Sequence, residues 1–277
     1  MFVHLFYFCD MDNNEQFNTT WRKVASAIYK KPVDSKIFGS VEVDVTNLEK
    51  FVSEKRKEGV KITLTHIFVL IISRAFQSEV PQFNTYLRRG KIVARPSIDA
   101  NVTVLQADGS MTSVKIDNSN TLNLKELELK LNEEIVKSRK GSENETMQNK
   151  NFVAKLPWPF RNWFFYIYRT LIINWGLSFP ILKLGPNSFG SFVITNIGSL
   201  GLDSGFPALL PTSNVSLVFV MGGIQKKPVV VNDEIVIRRM MTLNVVFDHR
   251  IADASHGATL FKFIKQMIKN PEELERK

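Results

Sequence analysis

The stretch "TLTHIFVLIISRAFQSEV", residues 63–80, constrains the fold more than any other part of this chain. It is apolar nearly all round, so as a helix it has no face to offer water and must be buried. Its length and its polar ends, Arg74 among them, argue against a membrane span. The chain is long enough to enclose such a helix, since 277 residues make one large domain or two small ones. A hydrophobic fraction of 44% and a charged fraction of 23% are ordinary for a globular protein. His66 falls in the first turn of this helix, where a core or capping histidine is the simpler reading than a ligand.

The flanking segments read as a mixed set of helices and strands. Phe17, Trp21, Val24, Ala25 and Ile28 recur at helical spacing across 15–31. "KIFGSVEVDV" (36–45) alternates as a strand, and a helix follows from about Thr46 to Lys57 with Gly59 placed to stop it. Residues 81–117 have strand-turn-strand character, with Arg89-Gly90 and Asp108-Gly109 as turn signals. A charged amphipathic helix covers roughly 122–139, and residues 140–151 are polar and flexible in composition. A short apolar strand leading into a glycine-punctuated loop covers 190–205, and antiparallel strands follow at 214–224 and 228–249, the last turning at Asn232-Asp233. A final helix over 257–270 puts Leu260, Phe261, Ile264, Met267 and Ile268 on one face. This order predicts an α+β fold, a large sheet with helices on one side, rather than alternating βαβ units.

The net charge of +9 suits a phosphate-bearing ligand, a membrane surface or a generally basic solvated exterior. The chain has no dense Lys/Arg tract, no zinc-finger spacing and no aromatic-basic RNA-binding signature, so no nucleic acid partner is expected. The single cysteine, Cys9, excludes an intramolecular disulfide framework and any multi-cysteine metal site, and a reducing, cytoplasmic setting is expected. The apolar run in residues 1–14 lacks a basic start and a small-residue cleavage site, and reads as an N-terminal strand or arm. Residues 156–184 hold three of the four tryptophans and only Arg161, Arg169 and Lys183 as charges. That segment reads as a core or subunit-contact helix, as an interfacial helix on a membrane surface or, against the break that Arg161 and Arg169 put in the apolar run, as a membrane span.

One stretch carries chemistry. In "FDHRIADASHGA", residues 247–258, His249 stands at the end of an apolar strand and four residues before Asp253. A neutral imidazole there could take a proton from a thiol, hydroxyl or amine attacking a carbonyl, a contribution of roughly 10²–10⁴-fold in rate. The alternative from the residues alone is a surface loop with an incidental Asp–Arg pair at Arg250.

"DHRIADASHGATLFKFIKQMIKNPEEL" resembles the carboxyl-terminal signature of the dihydrolipoyl acyltransferase catalytic domains of 2-oxo acid dehydrogenase complexes, in the chloramphenicol acetyltransferase-like superfamily. "GSFVITNIGSLGLDSGFPALLPTSNVSLVFVMGGI", "RRMMTLNVVFDHR", "VDVTNLEKF" and "VPQFNTYLRRGKIVARPSIDANVTV" are similar too, in the family's order, over most of 20–139 and 187–272. The resemblance implies a two-layer α+β sandwich formed by one catalytic domain over 1–277. It implies His249 as the base, Thr195 as the hydroxyl that donates to the oxyanion, and Asp253 as a loop brace, with Arg22 as its candidate partner. It implies an acyl-coenzyme A substrate, no metal, and an active site between subunits of a homotrimer.

The chain departs from that pattern in four places. Ala254 replaces the motif's usual glycine; if that position needs φ > 0, the alanine costs about 1 kcal/mol. No lipoyl domain or Pro/Ala-rich linker precedes the catalytic region, so no covalently bound lipoyl group is expected, and a lipoyl or carrier protein would act in trans. Residues 140–186 read as an insertion. The polar ending "PEELERK" predicts an isolated trimer rather than a larger core. These departures keep open a catalytically silent relative acting as a structural or binding module.

Overall fold

The computed structural model describes residues 17, 35–105, 111–139, 160–179 and 185–275. Strand β1 (Lys36–Asp44) leads into helix α1 (Thr46–Lys57), which buries Leu48, Phe51 and Val52 and stops at Gly59, where φ is +92°. Helix α2 (Leu64–Ser78) follows, buried without a break from His66 to Ser73. A hairpin of β2 (Thr85–Arg88) and β3 (Lys91–Ala94) turns on Arg89 and Gly90, both at positive φ. Strands β4 (Ala100–Leu105) and β5 (Met111–Ile116) flank the expected Asp108-Gly109 turn, which lies outside the described residues. Helix α3 (Leu124–Arg139) opens on a reciprocal cap in which Glu126 N–H donates to Asn123 Oδ1 at 2.8 Å and Asn123 N–H to Glu126 Oε2 at 2.9 Å.

The aromatic segment forms helix α4 (Phe160–Tyr168), which passes into a π-helical turn over Arg169–Asn174. Ile172 and Ile173 are buried, while Phe160, Trp163, Tyr166, Ile167 and Trp175 are exposed. The core-helix reading therefore fits only the end of this element. Strand β6 (Phe192–Asn196), the long pair β7 (Leu217–Val231) and β8 (Glu234–Asp248), and helix α5 (Ala254–Lys269) complete the fold. The β7–β8 turn places Asn232 and Asp233 at positive φ. Helix α5 begins three residues ahead of the expected start because Asp253 caps it. The expected N-terminal arm, the helix at 15–31 beyond Phe17, Arg22 and the polar stretch at 140–151 lie outside the described residues.

The main sheet runs β1-β8-β7-β6-β4-β5. Its central neighbours β4, β6 and β7 are parallel, and the remaining pairs are antiparallel. Alternation along each strand splits the sheet into two faces. Ala100, Val102, Phe192, Ile194, Phe219, Leu243 and Val245 point to the helical side and form the main core. Val193, Val218, Val220 and Val246 point the other way, under a loop that supplies Leu209 and Val215. This is the expected α+β two-layer sandwich.

Helix α2 packs on the sheet within the helical layer, with α1, α3 and α5 around it, which explains why it lacks a polar face. Phe68 meets Phe219 of β7 at 5.5 Å between ring centroids, and Phe76 meets Phe192 of β6 at 5.2 Å. Its remaining sides contact α1, α3 and α5. Fully burying side chains of this size contributes roughly 1.5–3 kcal/mol each. His66 is both a core and a capping residue: its Nδ1 accepts the Thr63 N–H at 3.1 Å at the helix start. Burial, with a smaller contribution from nearby Arg56, pushes its pKa down to about 4.

That depression has a stability consequence of definite sign. Above pH 6.5 the ring is neutral in both the folded and the unfolded chain; as pH falls toward 4 the unfolded chain takes up the proton first. His66 should therefore remove up to about 3 kcal/mol of stability across that window. Urea denaturation midpoints measured from pH 7 to 4 should fall more steeply for the wild type than for His66→Gln. Parallel slopes would show that the ring is not the titrating group.

Candidate active site

His249 sits one residue beyond β8, and its position is fixed from both sides. Its backbone N–H donates to Ser35 O at 2.6 Å, tying the strand end to the start of β1. The turn that follows closes through Ile251 N–H and Ala252 N–H, both donating to Asp248 O, and buries Ile251 and Ala252. Asp248 is chelated by Arg250, with Nε 2.9 Å from Oδ1, so the Asp–Arg pair anticipated at Arg250 is present and is made with Asp248. Asp253 lies instead beside the imidazole, its Oδ1 3.3 Å from His249 Nδ1. Ala252 O is 3.1 Å from the same Nδ1. A carbonyl oxygen can only accept, so Nδ1 carries the proton in this arrangement and the neutral ring holds its lone pair on Nε2.

Asp253 also opens α5. It forms a capping box with His256, whose Nδ1 accepts the Asp253 N–H at 3.0 Å. Ala254 is the first residue of that helix and is not among the residues with positive φ. The alanine is therefore free of the backbone strain anticipated if the position needed a left-handed conformation. Arg22, the candidate partner of Asp253, lies outside the described residues.

Thr195 lies on β6, on the sheet face away from the helices, and is buried. Beyond it the chain bends back across β7: Ile197 N–H donates to Met221 O at 3.0 Å, and Gly223 N–H to Leu202 O at 3.0 Å. This close crossing requires a bare backbone at Gly222, where an added Cβ would stand 1.9 Å from Asp203 O. Further along, Phe206 of the same loop packs edge-on against Phe38 of β1, 5.4 Å between centroids. In register with Thr195 are Val220 and, one strand further, Asn244. Asn244 is fully buried, and its Oδ1 accepts from Ser204 Oγ at 3.2 Å. Sequence reasoning passed over Asn244; its signal is a lone amide inside the apolar run "LNVVF".

The fold keeps Thr195 and His249 apart within one chain. The register Thr195–Val220–Asn244 places Thr195 five residues short of His249 along β8 and two strands to the side. At ~3.4 Å per residue and ~4.8 Å per strand the separation is roughly 20 Å. A separate groove of about 760 Å³ runs between β1 and α5, lined by Phe38, Val41, Phe261, Lys262 and Lys265 among others; His249, Asp253 and Thr195 are not part of it.

The Gly222 crossing gives a direct check on the loop that roofs Thr195. Gly222→Ala should cost about 1–3 kcal/mol by forcing the 198–203 segment off β7, read as a lowered urea midpoint. An unchanged midpoint would show that the loop yields freely.

Comparison with known proteins places this geometry in a family. The family model "2-oxoacid dehydrogenases acyltransferase (catalytic domain)" matches residues 13–154 and 183–275, passing over 155–182. The mitochondrial dihydrolipoyllysine-residue succinyltransferase component of the 2-oxoglutarate dehydrogenase complex of Saccharomyces cerevisiae is 26% identical over 237 residues, 84% of this chain and 42% of that protein. The dihydrolipoyllysine-residue acetyltransferase component of the pyruvate dehydrogenase complex of Rickettsia conorii is 25% identical over 268 residues, 92% of this chain and 53% of that protein. The chain thus spans about half the length of these curated relatives.

Solved structures agree on the fold. A probable dihydrolipoamide acetyltransferase from Listeria monocytogenes superposes with a TM-score of 0.62 at 21% identity, covering 92% of this chain and 90% of its own. The Azotobacter vinelandii dihydrolipoamide acetyltransferase gives 0.63 at 16% identity, with coverage of 97% and 93%. A chloramphenicol acetyltransferase gives 0.51 at 11% identity, with coverage of 95% and 99%. On a chloramphenicol acetyltransferase-like fold, this chain belongs to the family of 2-oxoacid dehydrogenase acyltransferase catalytic domains.

Proposed function

We propose that the chain transfers an acyl group between coenzyme A and a thiol acceptor of the dihydrolipoyl kind, with His249 as general base. The observation that carries this reading is the fixed imidazole: Nδ1 faces Ala252 O and Asp253 Oδ1, the arrangement of a tautomer whose basic lone pair is on Nε2. In the forward step Nε2 takes the proton of the attacking thiol as its sulfur bonds to the thioester carbonyl carbon. The carbonyl oxygen becomes an oxyanion, and a threonine hydroxyl at Thr195 donates a hydrogen bond to it. Collapse of the intermediate re-forms the carbonyl and breaks the bond to the departing sulfur, which leaves with the proton from the imidazolium.

The separation of roughly 20 Å within one chain supports a site completed by a neighbouring copy. We therefore assign the working form as a homotrimer in which His249 of one subunit meets Thr195 of another, with the lipoyl or carrier protein supplied in trans. The Azotobacter acetyltransferase has been investigated at a serine, a histidine and an asparagine four residues beyond that histidine. The His249–Asp253 spacing and a hydroxyl residue at Thr195 supply comparable chemistry here.

Two substitutions test the assignment. With a panel of acyl-coenzyme A donors and free dihydrolipoamide as acceptor, His249→Ala should lower kcat/KM by roughly 10²–10⁴-fold. Thr195→Val should lower it by about 10²–10³-fold, chiefly through kcat. Transfer that is equally slow in wild type and His249→Ala across the panel would instead identify a silent relative that acts as a structural or binding module.

A further inference from the structure

From Thr146 to Leu202 the chain contains no aspartate or glutamate, while Lys150, Lys155, Arg161, Arg169 and Lys183 all fall in that interval. A second acid-free stretch, residues 80–98, carries Arg88, Arg89, Lys91 and Arg95. The fold joins the two. Arg89 N–H donates to Asn174 O at 2.8 Å, and Arg88 Nε donates to Trp175 O at 3.2 Å. Gly176, at φ +69°, makes this junction feasible, because a Cβ there would stand 2.5 Å from Arg88 Nε. The β2–β3 hairpin, with exposed Arg89 and Lys91 at its turn, is thereby tied to the end of the aromatic helix.

Helix α4 partly covers Phe164 and Tyr168 and exposes its other described side chains, Phe165 at 42% among them. Phe164 and Tyr168 stack at 6.5 Å on the more covered side, continuing into buried Ile172 and Ile173. On the outer side Trp163 is 64% exposed, Tyr166 63%, Phe160 57% and Ile167 53%. Trp175, half exposed, extends the patch toward the basic hairpin. Large apolar rings gathered on one outward face mark a surface that something covers. Tryptophan and tyrosine, apolar in body with a polar tip, favour the boundary between lipid and water.

We propose that this patch is a docking surface for an anionic lipid bilayer, with α4 lying in the interface and the Arg89–Lys91 turn over the headgroups. Charge selects this partner. A second copy meeting the patch through a twofold contact would bring the exposed Arg89 and Lys91 of both copies to one contact, cation against cation. An anionic bilayer presents uniform opposite charge to the basic residues and hydrocarbon to the rings. The contact lies on the surface, since among the described residues no helix is long and apolar enough to cross a membrane.

The test is flotation of the full chain with phosphatidylcholine vesicles and with phosphatidylcholine–phosphatidylserine vesicles, followed also by tryptophan fluorescence. The wild type should float with the anionic vesicles, shift its emission to the blue, and detach as salt is raised. Arg89→Gln with Lys91→Gln should weaken binding by on the order of tenfold. Trp163→Ser with Tyr166→Ser and Ile167→Ser, three exposed positions, should abolish it with the circular dichroism spectrum unchanged. No flotation at low salt, or flotation equal in all three proteins, overturns the proposal. A triple variant that lowers the sedimenting mass while wild type ignores vesicles also overturns it, identifying the patch as a subunit contact.

Discussion

The pairing of β8 on both its edges is the constraint on which the other features rest. Along one edge it is bonded to β1 from Asp44 to Lys36, and along the other to β7 over nearly the whole of that strand. The strand end that carries His249 is thereby held by β1 through Ser35 and by β7 through Ser216, whose carbonyl accepts the Asp248 N–H at 3.0 Å. Two residues earlier Phe247 packs edge-on against Phe83, at 5.1 Å, and receives α5 across Gly257, where a Cβ would approach its ring to 3.1 Å. A histidine placed at the end of such a ladder needs little further ordering, which is the preorganisation that the proposed role of general base would require.

Much of this was legible from local patterns, for a physical reason. Burial imposes a period of 3.6 on helices and 2 on strands, so the ranges around 46–57, 63–80, 122–139 and 228–249 could be read residue by residue. The turns at Arg89-Gly90 and Asn232-Asp233 were legible because Gly90, Asn232 and Asp233 are residue types that tolerate positive φ; the positive φ of Arg89 itself carries no such signal. The π-helical turn at Arg169–Asn174 was not, since nothing in its composition separates it from an α-helical continuation. The distance between Thr195 and His249 was not legible either. It follows from β6 pairing with β7 rather than β8, and strand order is decided by non-local packing.

The start of α5 shows how one side chain can serve two elements. Asp253 caps the helix together with His256 and at the same time lies beside the His249 imidazole. Sequence spacing alone presented His249 and Asp253 as a pair. The structure adds that the spacing is the length of one tight turn closed on Asp248, with Ile251 and Ala252 buried beneath it. The site loop is thus anchored by two buried apolar residues together with the Asp248–Arg250 ion pair, and Ala254, entering the helix without a left-handed backbone, leaves that anchoring intact.

If His249 and Thr195 act as proposed, their wide spacing gives the isolated chain two incomplete stations instead of one complete site. Under the proposed chemistry, turnover counts contacts between neighbours rather than folded chains. A closed ring completes one station per member, whereas an open string always leaves a histidine idle at one end and a hydroxyl idle at the other. Dilution to single chains would then silence the protein while every copy remained folded.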